Sequence, residues 1–209
     1  KMSGLYSITN DKLLDEDSEL LSETSSRLKA AEWILKNDTY EHVGDSKSFI
    51  QRYVLALLFF STNGSRWKTR NGFLNGQLHE CNWYGIVCDH NHGVVTEIKL
   101  PNNNLNGPLV HEIGVLSALR VLDLSSNKQL VGAIPTEISD LWSLRVLNFE
   151  DSGLLGTIPQ EFKNFRNLEQ LKMKNNHLQG KIPILGNLNK LEILDLSSNK
   201  FTGSILEDT

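Results

Sequence analysis

Apolar residues recur from residue 94 onward in one order, Leu-x-x-Leu-x-Leu-x-x-Asn, which returns five times. The asparagine position advances by 24, 25, 24 and 23 residues from copy to copy. A register held over five copies is typical of a solenoid in which each copy forms one coil. The copies contain these residues: Val95, Ile98, Leu100 and Asn103; Leu119, Leu122, Leu124 and Asn127; Leu144, Leu147, Phe149 and Ser152; Leu168, Leu171, Met173 and Asn176; Leu191, Leu194, Leu196 and Asn199.

The last two apolar positions of each copy are separated by one residue, which is the alternation of a β-strand. This spacing predicts one short strand per coil, with the apolar side chains inward and the residue between them outward. No copy can bury its leucines alone, so neighbouring coils must stack and their strands must form a parallel sheet.

The asparagines follow the strand, where a buried amide can donate to and accept from backbone groups of adjacent coils. We therefore predict a structural ladder formed by Asn103, Asn127, Asn176 and Asn199. Ser152 stands in the same position of the third copy and can form fewer hydrogen bonds. This predicts a weak point in the third coil, or a compensating water.

Two helices are predicted before the repeats. The first is short and amphipathic and ends near Lys36. Its residues Leu28, Ala31, Glu32 and Leu35 share a helical spacing. The second begins near Asp45 or Ser46, either of which can cap its first turn. Its apolar stripe is wide enough to be buried and consists of Phe49, Ile50, Tyr53, Val54, Leu57 and Leu58.

Two further motifs accompany the repeats. Each copy continues with a Leu-x-Gly-x-Ile-Pro signature, which is complete at residues 130–135, 154–159 and 178–183. The second helix is followed by Trp67 and then by Cys81-x-Trp83-x-Gly85-x-x-Cys88. On these motifs the chain resembles the plant-type leucine-rich-repeat family, and its cap is similar to those of receptor-like-kinase ectodomains and polygalacturonase-inhibiting proteins. The segment from 48 to 64 looks closest to leucine-rich-repeat proteins of diatoms.

The resemblance implies an α/β leucine-rich-repeat solenoid, right-handed, with short parallel strands on its concave face and a helical, disulfide-containing N-terminal cap. Residues 1–45 are expected to form an acidic extension with a short helix, residues 46–93 the cap, and residues 94–209 about five repeats, the last incomplete. No polar closing repeat covers the fifth copy, which predicts that further repeats or a partner cover it.

Cys81 and Cys88 are the two cysteines of the chain. They could form a disulfide, or they could be metal thiolates with His79, His90 and His92 as nearby ligands. Their spacing fits no common zinc pattern, whereas a paired count favours a disulfide. We expect a disulfide and no metal.

Two acceptor sequons occur outside the repeats, at Asn37 and at Asn63. Together with the paired cysteines they favour an oxidising, secretory compartment. An unused tripeptide is the alternative at each sequon, since short motifs also arise by chance.

Composition excludes some partners. The net charge of −4 provides no basic patch large enough for nucleic acid. The longest apolar stretch, residues 53–60, is far shorter than the roughly 20 residues that a membrane-spanning helix needs.

Outward positions of the strands are the expected contact surface. The candidate contact residues are Lys99, Arg120, Asp123, Arg145, Asn148, Glu150, Lys172 and Lys174. A solvated, charge-balanced sheet is the alternative. The strand positions contain no stripe of tyrosine or tryptophan, the usual anchors of an interface.

An enzyme would have to use Asp123, Glu150 and Asp151 as paired carboxylates, but no set of nucleophile, base and orienting group is present. We expect no catalytic residue and no cofactor. The resemblance implies a secreted or cell-surface recognition module, part of a longer receptor-like or secreted protein, that binds a protein, a peptide or a cell-wall glycan. The alternative is a scaffold subunit of a larger assembly, for example in an organelle lumen.

Overall fold

The structure is a computed structural model that describes residues 25–40, 46–91, 93–182, 185 and 188–203. Most of the acidic extension, His92, Pro183 and everything after Gly203 lie outside these ranges. The described chain forms two helices and a solenoid whose coils each contribute one strand to each of two sheets. A 3-10 turn joins the second strand of one coil to the first strand of the next in three coils, at His111–Val115, Thr136–Asp140 and Gln160–Asn164.

The first sheet contains the strands that the repeat pattern predicts. Its strand order is β1, β2, β4, β6, β8, β10, and all pairs but the first are parallel. The strands are β1 (Ile86–Cys88), β2 (Val95–Lys99), β4 (Val121–Asp123), β6 (Val146–Asn148), β8 (Gln170–Lys172) and β10 (Ile193–Asp195). The middle apolar residues of the first four repeats align in register and are fully buried; they are Ile98, Leu122, Leu147 and Leu171. The predicted leucine-rich-repeat solenoid is confirmed.

A second parallel sheet is formed by the Leu-x-Gly segments. Its order is β11, β9, β7, β5, β3. The strands are β3 (Asn106–Pro108), β5 (Gln129–Gly132), β7 (Gly153–Gly156), β9 (His177–Lys181) and β11 (Lys200–Thr202). Their glycines have positive φ, for example 90° at Gly132, which residues with a side chain rarely adopt. The glycine of the repeat thus sets the bend that follows each of these strands.

Helix α1 (Ser26–Lys36) begins at a Ser25 side chain that accepts the Leu28 amide at 3.1 Å. Its buried residues are Ala30, Trp33 and Ile34, whereas Leu35 is 39% exposed. The predicted stripe of Leu28, Ala31 and Leu35 was therefore wrong by one residue, because the large Trp33 side chain decides which side faces the core. The Trp33 ring packs edge-on against Trp83 at 5.6 Å.

Helix α2 (Ser46–Ser61) is buried over its whole circumference from residue 51 to residue 59. The sequence predicts a helix with one wide buried stripe, but its polar residues Gln51 and Arg52 are buried as well, and the Arg52 guanidinium lies 5.4 Å from the ring centre of Trp33 in α1. Both polar side chains are satisfied there by hydrogen bonds. The helix is thus the centre of the cap.

The guanidinium of Arg52 is completely buried in the cap, and a buried charge needs ion-pair and hydrogen-bond partners. It forms a two-pronged ion pair with Asp38, at 2.9 and 2.6 Å, and donates to the Leu78 carbonyl at 2.7 Å. A further hydrogen bond of 3.3 Å reaches Glu80, which is also fully buried. The guanidinium lies 4.8 Å from the centre of the Trp83 ring, a favourable cation–π distance. These contacts hold α2 against the segments on both sides of it.

The asparagines form bonds between coils. Asn127 accepts the amides of Asn103 and Leu105 at 2.9 and 3.0 Å and donates to the carbonyls of Leu100 and Leu124 at 2.9 and 2.7 Å. Asn176 and Asn199 form similar bonds two and three coils further on, each accepting one amide and donating to two carbonyls. Asn103 instead bonds Thr69, at 2.7 and 2.9 Å, so the first asparagine joins the solenoid to the cap.

Ser152 interrupts this pattern without leaving the neighbouring groups unpaired. The carbonyl of Leu124 accepts from Asn127 of its own coil, and that of Phe149 accepts from Asn176 of the next coil. The second coil has one additional residue after Asn127, so the Leu130 amide bonds the Asn127 carbonyl at 2.8 Å. Three of the backbone groups that an asparagine would serve therefore have other partners, and the weak point in the third coil stays a prediction.

We expect Asn127→Ala to lower the free energy of unfolding by about 2 to 4 kcal/mol, because two amides lose their acceptor inside the core. Ser152→Ala is the matched control and should cost less than about 1 kcal/mol, since the hydroxyl forms a single long bond of 3.4 Å. Urea unfolding followed by circular dichroism measures both. Equal losses in the two variants would show that the ladder does not stabilise the solenoid.

Arg52→Met should cost about 3 to 5 kcal/mol, because it leaves the carboxylates of Asp38 and Glu80 buried without their cation. The control is Lys36→Met, which removes an exposed ion pair with Glu32 and should change stability by less than about 0.5 kcal/mol. Urea unfolding read by tryptophan fluorescence reports on the cap, which contains Trp33, Trp67 and Trp83. A loss below about 1 kcal/mol for Arg52→Met would contradict this account.

Candidate functional site

The outward side chains of the first sheet form rows that cross the coils. Because β2, β4, β6, β8 and β10 pair in register, residues at the same repeat position lie side by side. One row consists of Lys99, Asp123, Asn148, Lys172 and Asp195, and most of its members are partly exposed. Along this row a positive side chain is followed by a negative one, an amide, a second positive and a second negative one. Neighbouring strands are about 4.8 Å apart.

The acidic members of this row are held in place by turns. Asp123 accepts the amide and the hydroxyl of Ser125 at 3.0 and 2.7 Å, and Asp195 does the same with Ser197 at 3.0 and 2.6 Å. The Ser197 hydrogen bonds, together with Lys174 and Lys172, lower the pKa of Asp195 below its ordinary value. Both carboxylates are thus fixed in orientation by a serine two residues later.

The basic members are less constrained. Within the described residues, Lys172 of this row and Lys174, two residues after it, form no side-chain hydrogen bond or ion pair, and Lys99 contacts Glu97. Asn148 accepts the amide of Glu150 at 3.1 Å, which positions that neighbouring carboxylate. The row therefore combines fixed acceptors with mobile donors, a composition suited to polar contacts with another molecule.

A second row runs through Arg120, Arg145 and Glu169. In the first repeat the same position is Thr96, which is only 7% exposed and whose hydroxyl donates to the Val87 carbonyl. The cause is strand β1, which pairs antiparallel with β2 and covers this position. The row thus starts at Arg120 and continues through Arg145 to Glu169, with an Arg145–Glu169 ion pair of 3.4 Å.

Cys81 and Cys88 form a disulfide, with their Cα atoms 5.5 Å apart. His79 lies close enough to both sulfurs to suggest a metal site. Oxidised sulfurs are not thiolate ligands, and the His79 ring accepts the Cys81 amide at 3.2 Å. The disulfide joins the 3-10 turn Glu80–Asn82 to the end of β1, so it anchors the cap to the first sheet.

The two sequons differ in their surroundings. Asn37 is exposed at the C-terminal end of α1, and Thr39 of the same sequon donates to the Gly76 carbonyl at 3.0 Å. Asn63 is partly buried, has a φ of 54°, and accepts a hydrogen bond from Ser65 at 3.1 Å. Of the two, Asn37 presents the freer amide.

The carboxylates considered for catalysis have structural partners. Asp151 accepts from Asn175 at 2.6 Å, and Asp123 accepts from Ser125. Asp123 ends strand β4, whereas Asp151 lies in the turn after β6, so the two do not face each other across a shared site. This arrangement offers no acid–base pair.

Two titratable groups that lie outside the rows have shifted pKa values. Burial, with the negative charge of Glu112 adding to it, raises the pKa of Tyr53 to about 12. Burial alone would raise the pKa of Glu137, but hydrogen bonds from its own backbone and from His111 lower it below the ordinary value. Both belong to the packing of the cap and of the 3-10 turns.

Trp142 is the residue that the strand pattern missed. It is 75% exposed, the highest value among the large exposed apolar side chains. It precedes β6 by four residues, at the edge of the first sheet, and therefore lies outside the strand positions considered above. The sequence alone could have indicated that Trp142 is exposed, because other coils carry polar residues at the same repeat position: Ser117, Arg166 and Asn189.

No helix in the described part of the chain has the length and apolar character that crossing a membrane requires. The Leucine Rich Repeat family model matches residues 143–165 and 190–209. Receptor like protein 24 of Arabidopsis thaliana is 32% identical over 129 residues, which are 61% of this chain and 13% of that protein. The chain thus spans a small part of the length of this curated relative, and 7% of another, Phytosulfokine receptor 1.

Two solved structures are similar in fold. A chain of the BIR3–SERK2 complex from Arabidopsis thaliana is 31% identical with a TM-score of 0.57; the match covers 61% of this chain and 69% of that one. The plant peptide hormone receptor RGFR1, solved in complex with RGF2, is 39% identical with a TM-score of 0.53, covering 59% and 19%. The first is described as a complex of two proteins and the second as a plant peptide hormone receptor.

We expect Asn37 to carry an N-linked glycan when the chain is produced in a secretory host, because its amide points to solvent. Asn37→Gln should reduce the intact mass by one glycan, and treatment with an endoglycosidase should produce the same reduction in the unmodified sequence. Asn63→Gln is the control and should retain the Asn37 glycan. An unchanged mass in Asn37→Gln would show that this sequon is unused.

Proposed function

From its membership of the plant-type leucine-rich-repeat family and its resemblance to plant receptor ectodomains, we propose that this chain is a non-catalytic recognition module. It binds a protein or peptide partner through the outward rows of the first sheet and the adjoining edge. A cell-wall glycan is the second class of ligand that these polar rows could accept. The chain is part of a longer receptor-like or secreted protein.

The observation that carries the proposal is the arrangement of the exposed rows. Five parallel strands in register present alternating charges whose acidic members are fixed by serine hydrogen bonds. Fixed charges on a rigid sheet lose little conformational freedom on binding. The similar proteins include a receptor solved with a peptide hormone, which supports the same use here.

The same comparisons support an extracellular or cell-surface location. The disulfide and the exposed Asn37 sequon agree with an oxidising compartment. The organelle lumen remains the alternative location. The narrower resemblance to diatom proteins has no support among the comparisons and stays a prediction.

A scaffold subunit is the competing proposal, and it would bury the N-terminal extension against neighbouring chains. The described part of that extension is instead buried in its own chain. Trp33 donates to the Leu74 carbonyl at 3.2 Å, and Arg27 pairs with the buried Glu112 at 2.7 Å. These contacts favour a self-contained cap.

The test begins with affinity capture from the native source by the immobilised chain, followed by quantitative mass spectrometry. Each enriched partner is then purified and titrated against the chain by calorimetry. We expect the double variant Lys172→Glu, Lys174→Glu to weaken this binding at least about tenfold, because it reverses two positive charges on the outward face of the first sheet.

The matched control, Lys128→Glu with Lys163→Glu, changes the same charge at exposed positions outside the strand rows. It should leave the dissociation constant within about twofold. Equal weakening by both pairs would mean that only overall charge matters. Stoichiometric co-purification with partners that ignore the row variant would favour the scaffold.

A further inference from the structure

Trp142 is exposed at a position where the other coils carry serine, arginine or asparagine. Three of the four tryptophans, Trp33, Trp67 and Trp83, are at most 7% exposed and form the cap core. Within the described residues the Trp142 ring makes no hydrogen bond and no ring contact. Covering an exposed tryptophan by a partner removes a large apolar area from water.

The backbone around Trp142 is rigid. Its carbonyl accepts from Asn167 of the next coil at 3.0 Å, and the other amide atom of Asn167 accepts from Lys190 at 2.7 Å. The Trp142 amide bonds the Asp140 carbonyl at 2.9 Å. The Trp142 side chain thus projects from a backbone that is already ordered, so binding requires no further loss of backbone conformational entropy.

Arginines occupy repeat positions next to that of this tryptophan. Arg166 occupies the same repeat position in the next coil, and Arg145 follows Trp142 by three residues beside Arg120. Arg145 is paired with Glu169, but Arg120 and Arg166 are exposed and have no ion-pair partner among the described residues. Tryptophan and arginine are the residue types that most often dominate protein interfaces.

We propose that Trp142, Arg120, Arg145 and Arg166, here named the tryptophan edge, bind a peptide segment of a partner protein that carries carboxylates beside an apolar side chain. This inference rests on the proposed recognition function and names the chemistry of the partner. The apolar side chain covers the indole, and the carboxylates pair with Arg120 and Arg166.

The charge sequence along the row favours a peptide over an acidic glycan. Glu169 and Glu192 follow Arg145 at the next two steps, about 5 Å apart. A polyanion with a charge on every unit would meet these carboxylates, and like charges at that distance repel. A peptide can place its carboxylates at the arginines alone.

The experiment uses acrylamide quenching of tryptophan fluorescence, which reports mainly on Trp142 because the other three tryptophans are buried. The probe is a twelve-residue peptide, Glu-Leu-Glu-Gly repeated three times. Its controls are the same peptide with glutamine for glutamate and an oligogalacturonate. We expect the acidic peptide alone to protect Trp142, lowering the quenching constant at least about twofold at about 1 mM.

The variants use residues of the neighbouring coils. Trp142→Ser introduces the residue of position 117 and should abolish the quenchable signal; Arg166→Asn introduces that of position 189 and should weaken the peptide at least about fivefold. Lys181→Gln, an exposed lysine of the second sheet, is the control and should leave binding unchanged. Circular dichroism establishes that each variant is folded.

Three results would overturn the inference: no protection at about 1 mM peptide, equal protection by the glutamine peptide, or protection by the oligogalacturonate instead. The proposed function fails separately. If Lys172→Glu, Lys174→Glu loses a natural partner that Trp142→Ser still binds at full affinity, recognition stands and the tryptophan edge is excluded. If neither variant affects that partner, both proposals fail.

Discussion

The structure depends on one constraint, which is that a coil can bury its leucines only against another coil. Ile98, Leu122, Leu147 and Leu171 are each completely buried although each strand contains three to five residues. A strand of this length has no stable structure alone, so burial and backbone pairing must both come from its neighbours. The asparagine bonds serve the same purpose, because each joins the turn of one coil to the backbone of the coil before it. The repeat length therefore changes only where the turn can absorb it, as at the additional residue after Asn127.

The cap solves the opposite problem, since the first coil has no preceding coil. Helix α2 and the antiparallel strand β1 provide the missing wall, and Asn103 forms with Thr69 of the cap the bonds that later asparagines form with coils. The cap cannot be purely apolar, because α2 carries the buried polar residues Gln51 and Arg52, and Trp33 of α1 lies against Arg52. Asp38 and Glu80 supply the acceptors, and Trp83 supplies the aromatic ring. Burial of this charged group then requires all of its partners at once, which couples α1, α2 and the segment before the disulfide into one unit.

How much the sequence predicts depends on whether a position repeats. The leucines and asparagines occur five and four times, so their roles could be inferred from period alone, and the strand register followed. Trp33, Arg52 and strand β1 occur once, and their environment depends on tertiary contacts between segments distant in sequence. A single helix pattern cannot tell that α1 will cover Arg52, or that β1 will bury Thr96. The charged rows were found because they lie in strands, but the exposure of Trp142 belongs to an edge for which the strand alternation makes no statement.

The repeat also provides a rule for interpreting departures from it. A departure at an inward position must be compensated inside the fold, and Ser152 is compensated by Asn127, Asn176 and the local bond of Leu130. A departure at an outward position needs no compensation, so folding does not explain why it is there. Trp142 is such a case: the same position accepts serine, arginine and asparagine in other coils, and an exposed indole adds apolar surface without stabilising the solenoid. Since folding leaves this residue free to vary, a contact outside the chain is the physical role that remains for it.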